Sequence, residues 1–391
     1  VLRLKFELGL FENPYKFCDE NRQKAVLLSA ENRAAARDVS RKSIVLLKND
    51  RNILPLKRTQ KIAVIGPLGD NKSELIGNWN GAGNANDCVS VLEGLRAQTK
   101  SEVSFETGCE FMTPGKSGFG PALDLARRAD VVVAVVGEQA MMSGEAASRA
   151  DISLPAVQEE LVLELLKTGK PVVVVLMNGR PLAIPRLAES TAAILETWWL
   201  GTETGNAIAD VIFGDYNPSG KLPVTFPRSV GQVPVFYNEK STGRPYDPNS
   251  KWTSKYIDLP NSPQWPFGFG LSYTTFQINE PKPDKGAFKI GENLQVMVNV
   301  TNTGKVAGEE VVQLYVRDLV GSVTRPVKEL RGFQKVMLKP GESRNLTFTL
   351  TEKDFAFFRR DMTFGAEPGE FDIMIGGNSQ DLKPVRVRMT E

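Results

Sequence analysis

Behind the apolar run Val131 to Val136 the chain reads Gly137-Glu138-Gln139-Ala140-Met141-Met142-Ser143-Gly144-Glu145-Ala146-Ala147-Ser148-Arg149. This places two carboxylates and a guanidinium on one glycine-containing loop at the carboxyl end of a β-branched strand, the edge where open α/β sheets bind ligands. The chemistry on offer is proton transfer. A carboxyl group in a sheltered pocket keeps its proton toward working pH and suits a donor, and Met141 and Met142 are the apolar walls at hand for Glu145. The same residues also fit a solvated loop glutamate paired with Arg149, as most loop glutamates are. Glu138, bordering the strand, reads as structural, holding the loop's backbone amides.

Two further turns belong to the same edge. Asn78-Trp79-Asn80-Gly81-Ala82-Gly83 offers an aromatic face and amides, the groups that bind sugar C–H faces and hydroxyls, although tryptophan is equally a core residue. Asn178-Gly179-Arg180-Pro181 carries an arginine suited to a ligand or, more simply, to capping a loop. Gly66-Pro67-Leu68-Gly69-Asp70 lacks both the GxGxxG spacing and the Lys-Ser/Thr of phosphate-binding loops, so a nucleotide is weakly supported.

What the chain lacks narrows the chemistry. It contains no histidine, which removes Ser-His-Asp and Cys-His nucleophile systems and His-containing zinc sites. Acid/base work near neutral pH then falls to carboxylates, lysine or tyrosine. Cys18, Cys88 and Cys109 form no CxxC and read as small buried residues, with a Cys88–Cys109 bridge left open. A net charge of +2 over 391 residues, without a basic cluster, argues against nucleic acid. No run reaches the ~18 apolar residues of a membrane span. The opening Val-Leu-Arg-Leu-Lys-Phe-Glu-Leu reads as a helix already under way with no signal peptide, so upstream sequence is expected.

The elements that must position these groups follow from periodicity. Residues 1–60 read as a helical connector, with a turn at Phe11–Tyr15 and a helix from Ser29 to Lys48. Strands are expected at Ile62–Gly66, Val103–Glu106, Val131–Val136, Val172–Met177 and Ala193–Thr197. Helices are expected at Val89–Gln98, Gly120–Ala129 and Ala156–Thr168. Continuous Val/Ile/Leu runs mark strands buried on both faces, hence an α/β domain with a mostly parallel sheet sandwiched by helices. From residue 214 to Tyr273 a Pro/Gly/aromatic-rich stretch reads as an ordered, meandering connection packed over that sheet. Beyond Phe276, alternating strands at Leu294–Asn299, Val311–Val316, Leu330–Val336, Asn345–Leu350 and Phe371–Ile375 predict an all-β sandwich of immunoglobulin or fibronectin type III type.

Several motifs in order carry a resemblance. Ser43-Ile44-Val45-Leu46-Leu47-Lys48-Asn49, Leu54-Pro55-Leu56 and Ile62-Ala63-Val64-Ile65-Gly66-Pro67 resemble the second domain of glycoside hydrolase family 3. So do Phe213-Gly214-Asp215-Tyr216-Asn217-Pro218-Ser219-Gly220-Lys221-Leu222-Pro223 and Pro266-Phe267-Gly268-Phe269-Gly270-Leu271-Ser272-Tyr273-Thr274, while Val298-Asn299-Val300-Thr301-Asn302-Thr303-Gly304 is similar to that family's fibronectin type III-like domain. Thr242-Gly243-Arg244-Pro245-Tyr246 and Thr253-Ser254-Lys255-Tyr256 point to its periplasmic β-glucosidase branch.

The resemblance implies a division into 1–42 (tail of an absent barrel plus linker), 43–225 (α/β sandwich), 226–275 (connection) and 276–391 (fibronectin type III-like). It implies a retaining, exo-acting β-glucosidase whose acid/base is Glu145, in the triplet Ser143-Gly144-Glu145. Ser143, Arg149, Trp79 and Met142 are then the substrate-binding candidates, and the nucleophile belongs to an N-terminal (β/α)8 barrel in the same or a separate chain. Alone, this half should be inactive. The implied partners are a β-linked oligosaccharide or glucoside and that barrel, with a homodimer left open and neither nucleic acid nor membrane expected. No metal or organic cofactor is implied, because displacement at an acetal carbon by two carboxylates needs none. The implied location is periplasmic or secreted. The alternatives are a β-xylosidase-type hydrolase of the same family and a non-catalytic carbohydrate-binding module.

Overall fold

The computed structural model describes all 391 residues, Val1 to Glu391. The Val-rich segments form strands because their β-branched side chains fill a pleated surface covered on both sides. Six strands, β1 (Val45–Asn49), β2 (Ile62–Ile65), β3 (Val103–Glu106), β4 (Val131–Gly137), β5 (Val172–Met177) and β6 (Ala193–Glu196), make one sheet in the order β1-β6-β5-β4-β2-β3. All neighbours are parallel except β1 with β6.

Alternate residues of each strand feed two separate cores. Val132, Ala134 and Val136 with Val172, Val174 and Leu176 face one side, where Leu125, Leu161, Leu165 and Leu187 pack. Val131, Val133 and Val135 with Val173 and Val175 face the other, against Val91, Leu95, Ile208 and Ile212. The covering helices are α1 (Leu2–Glu7) and α2 (Glu20–Val26) in the N-terminal arm, then α3 (Ala30–Ser43), α4 (Val91–Gln98), α5 (Phe119–Arg128), α6 (Gln158–Leu166), α7 (Pro185–Ser190) and α8 (Thr204–Ile212). Only α1 and α2 bury nothing.

Two expectations need correction here. The helix expected to run to Lys48 stops at Ser43, and Val45–Asn49 is the antiparallel edge strand β1. Ile44 to Leu47 are buried between β6 and the connecting segment at Leu271, an environment that an apolar Val-Leu-Leu run fills better as a strand. The disulfide left open does not form either. All three cysteines are free, and Cys88 and Cys109 lie in the two cores on opposite faces of the sheet.

The segment after residue 214 has little regular structure but sends Leu222, Phe226 and Trp265 into the sheet's core. The Trp265 ring meets Phe226 edge-on at 6.0 Å, and Phe226 meets Trp198 in the same way at 6.1 Å.

The sandwich follows. Strands β7 (Phe276–Ile278), β8 (Lys282–Pro283) and β10 (Leu294–Asn302) join β13 (Ser343–Leu350) in one sheet. The other holds β9 (Ala287–Lys289), β11 (Gly308–Asp318), β12 (Glu329–Leu338), β16 (Gly369–Gly376) and β17 (Leu382–Thr390), while β14 (Phe357–Phe358) pairs with β15 (Phe364–Gly365). Strand β17 was not expected from the sequence. Proline and arginine on its outer face hide an inward Val387 and Met389. The sandwich is clasped to the α/β domain by Glu309, which takes bonds from Tyr216 Oη (2.9 Å), Ser219 Oγ (3.1 Å) and Lys335 Nζ (3.1 Å), and by the Lys221–Glu310 pair at 2.7 Å.

Candidate active site

Strand order decides where a ligand can sit. From β2 the chain steps outward to β3, and from there it returns past β2 to β4, so the order reverses between β2 and β4. At such a switch point the two following loops diverge and leave a crevice at the carboxyl edge. The loop after β2 carries Asn78 and Trp79, and the loop after β4 carries Ser143 to Arg149.

These two loops touch. Gly144, at φ +103, lies so close to the first loop that a Cβ there would stand 2.2 Å from Asn78 Nδ2 and 3.1 Å from Trp79 Nε1. Only glycine satisfies both the positive φ and the close approach. The residue after Glu145, Ala146, is also at positive φ (+58). Glu145 therefore stands between two left-handed residues, a conformation that surrounding structure must enforce and that clusters at functional sites.

The enforcement is visible. Glu138, fully buried at the end of β4, pairs with Arg149 Nη1 at 2.6 Å and with Arg180 Nε at 2.9 Å. Its second oxygen accepts from the Gly179 N–H at 3.3 Å, with Ser143 Oγ at 3.5 Å. Arg180 Nη2 donates in turn to the carbonyls of Met142 and Ala147, the latter at 2.9 Å. Those two carbonyls bracket Glu145. Gly179 packs against Ser143 with no room for a side chain, since a Cβ would meet Ser143 Oγ at 2.2 Å. One buried carboxylate, two arginines and two glycines thus hold the loop on both sides of its tip.

The tip itself is open. Glu145 is exposed and takes part in no hydrogen bond or ion pair with the chain, unlike Glu138. The shelter expected from Met141 and Met142 is absent: Met141 is 76% exposed and Met142 half-buried. Nor does Arg149 pair with Glu145. Its guanidinium is taken by Glu138 and by the Ser153 carbonyl at 3.0 Å. Such a bond is favoured because a buried carboxylate without a partner costs far more than an exposed one.

Of the substrate-binding candidates, Trp79 is free, 75% exposed beside Gly144. Ser143 is half-buried between Glu138 and Arg180. Met142 and Arg149 are committed to holding the loop. A space of about 710 Å³ bordered by Tyr237, Tyr246 and Lys328 lies against the sandwich and includes none of these residues.

Sequence reasoning passed over Glu196 and Trp199 here and gave Asn178, in a turn it did single out, no role of its own. Asn178 and Glu196 are fully buried at the ends of β5 and β6, and the half-buried Trp199 packs against Gly77 and Gly179. Burial pushes the Glu196 carboxyl up to about 8, partly offset by bonds from Trp198 N–H and Asn178, with Glu138 pushing the same way as burial. The signal was present, since Glu196 closes a buried apolar strand just as Glu138 does.

The model of the glycosyl hydrolase family 3 C-terminal domain matches residues 44–273, and that of a fibronectin type III-like domain matches residues 310–379. The periplasmic beta-glucosidase of Salmonella typhimurium is 43% identical over 98% of this chain, and 54% of that protein is covered. A beta-xylosidase of Formosa agariphila shows the same identity and the same two shares. Among solved structures, a beta-glucosidase from Listeria innocua in complex with glucose superposes with a TM-score of 0.92 at 39% identity, covering 100% of this chain and 54% of that one. The chain spans about half the length of the relatives it matches.

Proposed function

The chain belongs to glycoside hydrolase family 3, and from that premise we propose that it is the acid/base-bearing half of a retaining, exo-acting β-glucosidase. Glu145 is the general acid that protonates the departing glycosidic oxygen. It then serves as the base that takes a proton from water as the glycosyl intermediate is hydrolysed. The nucleophilic carboxylate lies on an upstream (β/α)8 barrel, ~5–5.5 Å from Glu145 in the assembled site, as retention requires. Trp79 offers a face for the sugar, while Ser143, Met142 and Arg149 act by setting the loop.

The observation that carries this reading is the contrast at the loop: a strained, doubly clamped backbone presents one unpaired carboxyl group to the outside. A fold gains nothing in stability from such an arrangement, whereas a partner surface supplying the other carboxylate would complete it. The same partner would strip water from the tip, and a carboxyl so enclosed keeps its proton. A further support is the N-terminal arm, where Leu4, Phe6, Phe11 and Leu27 are each about 60% exposed. Clustered exposed apolar residues mark an interface.

The test is complementation. The purified chain should leave an aryl β-glucoside intact, and adding the matching barrel half should produce hydrolysis that Glu145→Gln abolishes. Hydrolysis by the chain alone, or unchanged turnover in the variant, would overturn the reading, the latter in favour of a non-catalytic carbohydrate-binding module.

A β-xylosidase is the second reading, supported by the 43% identity to the Formosa protein. The sugar-selecting pocket lies on the barrel in either case, so aryl xyloside against aryl glucoside decides between them. For location, the Salmonella relative supports a periplasmic or secreted protein. No helix of the chain is long and apolar enough to cross a membrane.

A further inference from the structure

The carboxyl edge holds a second buried acid that the proposed chemistry leaves unused. Glu196 Oε2 accepts from Asn178 Nδ2 at 3.0 Å, and its Oε1 accepts from the Trp198 N–H at 3.0 Å. The same Asn178 nitrogen donates to the Arg180 carbonyl at 2.9 Å, closing the 178–180 turn. Trp198 is at φ +56, a conformation that a bulky side chain seldom takes without being held. One carboxyl group thus grips two turns. From the first of them the Arg180 side chain leaves to hold the carbonyls on either side of Glu145.

We propose that Glu196 is a positioning residue for Glu145, acting through Asn178 and the 178–180 turn to keep Arg180 in register with the 142–147 loop. The role of Glu145 itself rests on the function proposed above; the mechanical link between Glu196 and the loop does not. The groups around Glu196 are few. Strand β5 contributes Asn178, β4 ends on the carboxylate of Glu138, β1 sets Val45 opposite, and the residue's own strand continues into the Thr197 and Trp198 backbone. Glu138 is the charged group among them. Burial, with that neighbour, keeps the proton on Glu196 to about pH 8. Losing it puts a second negative charge beside Glu138 in a dry edge, where like charges repel strongly. Opening that releases Glu196 to water lets the proton leave at the ordinary carboxylate value, so the turn should loosen steadily as pH rises toward about 8 and change no further above it.

Hydrogen exchange on this chain reads the link without any catalysis. Protection of the Ser143 and Gly179 amides, which donate to the Ala140 carbonyl and to Glu138, is corrected for intrinsic exchange and measured from about pH 6.5 to 9.5. In the native sequence, opening of the loop should become roughly tenfold easier across that range, the scale of one lost buried bond. Glu196→Gln, which cannot ionise, should remove the pH step. Asn178→Ala, which cuts the link while leaving the acid, should leave the loop loose at every pH and serves if the first variant does not fold. An identical step in Glu196→Gln, or a loop indifferent to both substitutions, overturns the proposal. In the reconstituted enzyme, Glu196→Gln should shift the alkaline limb of kcat with KM unmoved. Exchange that responds in an enzyme indifferent to Glu145→Gln would instead count against the proposed function alone.

Discussion

The sandwich and the carboxyl edge of the parallel sheet treat charge in opposite ways. The sandwich packs twenty apolar residues into its core; its one buried carboxylate, Glu310, sits at the domain boundary paired with Lys221, and ion pairs such as Arg386–Asp372 lie toward solvent. At the sheet edge, Glu138 and Glu196 are both fully buried, one between two arginines and the other with none. Buried charge is costly, and apolar residues of similar volume usually stabilise as well or better. A region that needs only to fold does what the sandwich does. The edge carries its buried acids to hold a loop in a conformation it would not otherwise keep, and Glu145 is the side chain presented by that loop.

This contrast can be broken by substitution. The largest effect should come from Glu145→Gln in the reconstituted enzyme, a loss of roughly 10²–10⁴ in kcat. Its chain stability should stay within about 0.5 kcal/mol of the native value, since the side chain is exposed and unpaired. Phe371→Ala in the sandwich core should do the reverse, costing about 3–5 kcal/mol in urea unfolding while leaving turnover intact in whatever remains folded. Arg180→Ala should do both, costing about 3 kcal/mol by leaving Glu138 half-compensated and lowering kcat by freeing the loop.

A pH dependence sharpens the same comparison. Glu196 moves from 4.5 unfolded to about 8 folded, so between those values the unfolded chain has released a proton that the native chain keeps. Native stability therefore falls as pH rises through this window and levels off above it, by a few kcal/mol at most. Unfolding midpoints at about pH 5, 7 and 9 check this, and Glu196→Gln should flatten the trend. Trp79→Ala is the smallest change expected. It should raise KM about 3–10-fold, the worth of one aromatic contact, without a measurable effect on unfolding.

What could be read from the sequence, and what could not, follows from the range of the interactions. Strands β4 and β5 were legible because burial on both faces writes a continuous valine run. Strand β1 was not, because Val45 to Leu47 continue the apolar spacing of the helix before it and only contact with β6 decides between the two. The loop and its Ser143-Gly144-Glu145 triplet could be singled out, the first by its place after a strand and the second by resemblance. Of the clamp, Glu138 as a structural group and Arg180 as a loop cap could be read from their places after β4 and β5, whereas Glu196 and the pairings themselves could not, since pairing of a charge across tens of residues leaves no local pattern. The sheltered setting expected for Glu145 failed for a different reason: Met141 turns to solvent, 76% exposed, and its place beside Glu145 in the sequence does not say which way it faces.

The central claim, that Glu145 is the proton donor, is tested most directly by the dependence of Glu145→Gln on the leaving group. In the chain reconstituted with its barrel half, aryl β-glucosides with increasingly basic phenols should be affected progressively more. A dinitrophenyl glucoside, which departs without protonation, should be cleaved to its intermediate nearly as fast as by the native protein, and added azide should restore turnover. A loss of equal size across the whole series, with no response to azide, would contradict the account.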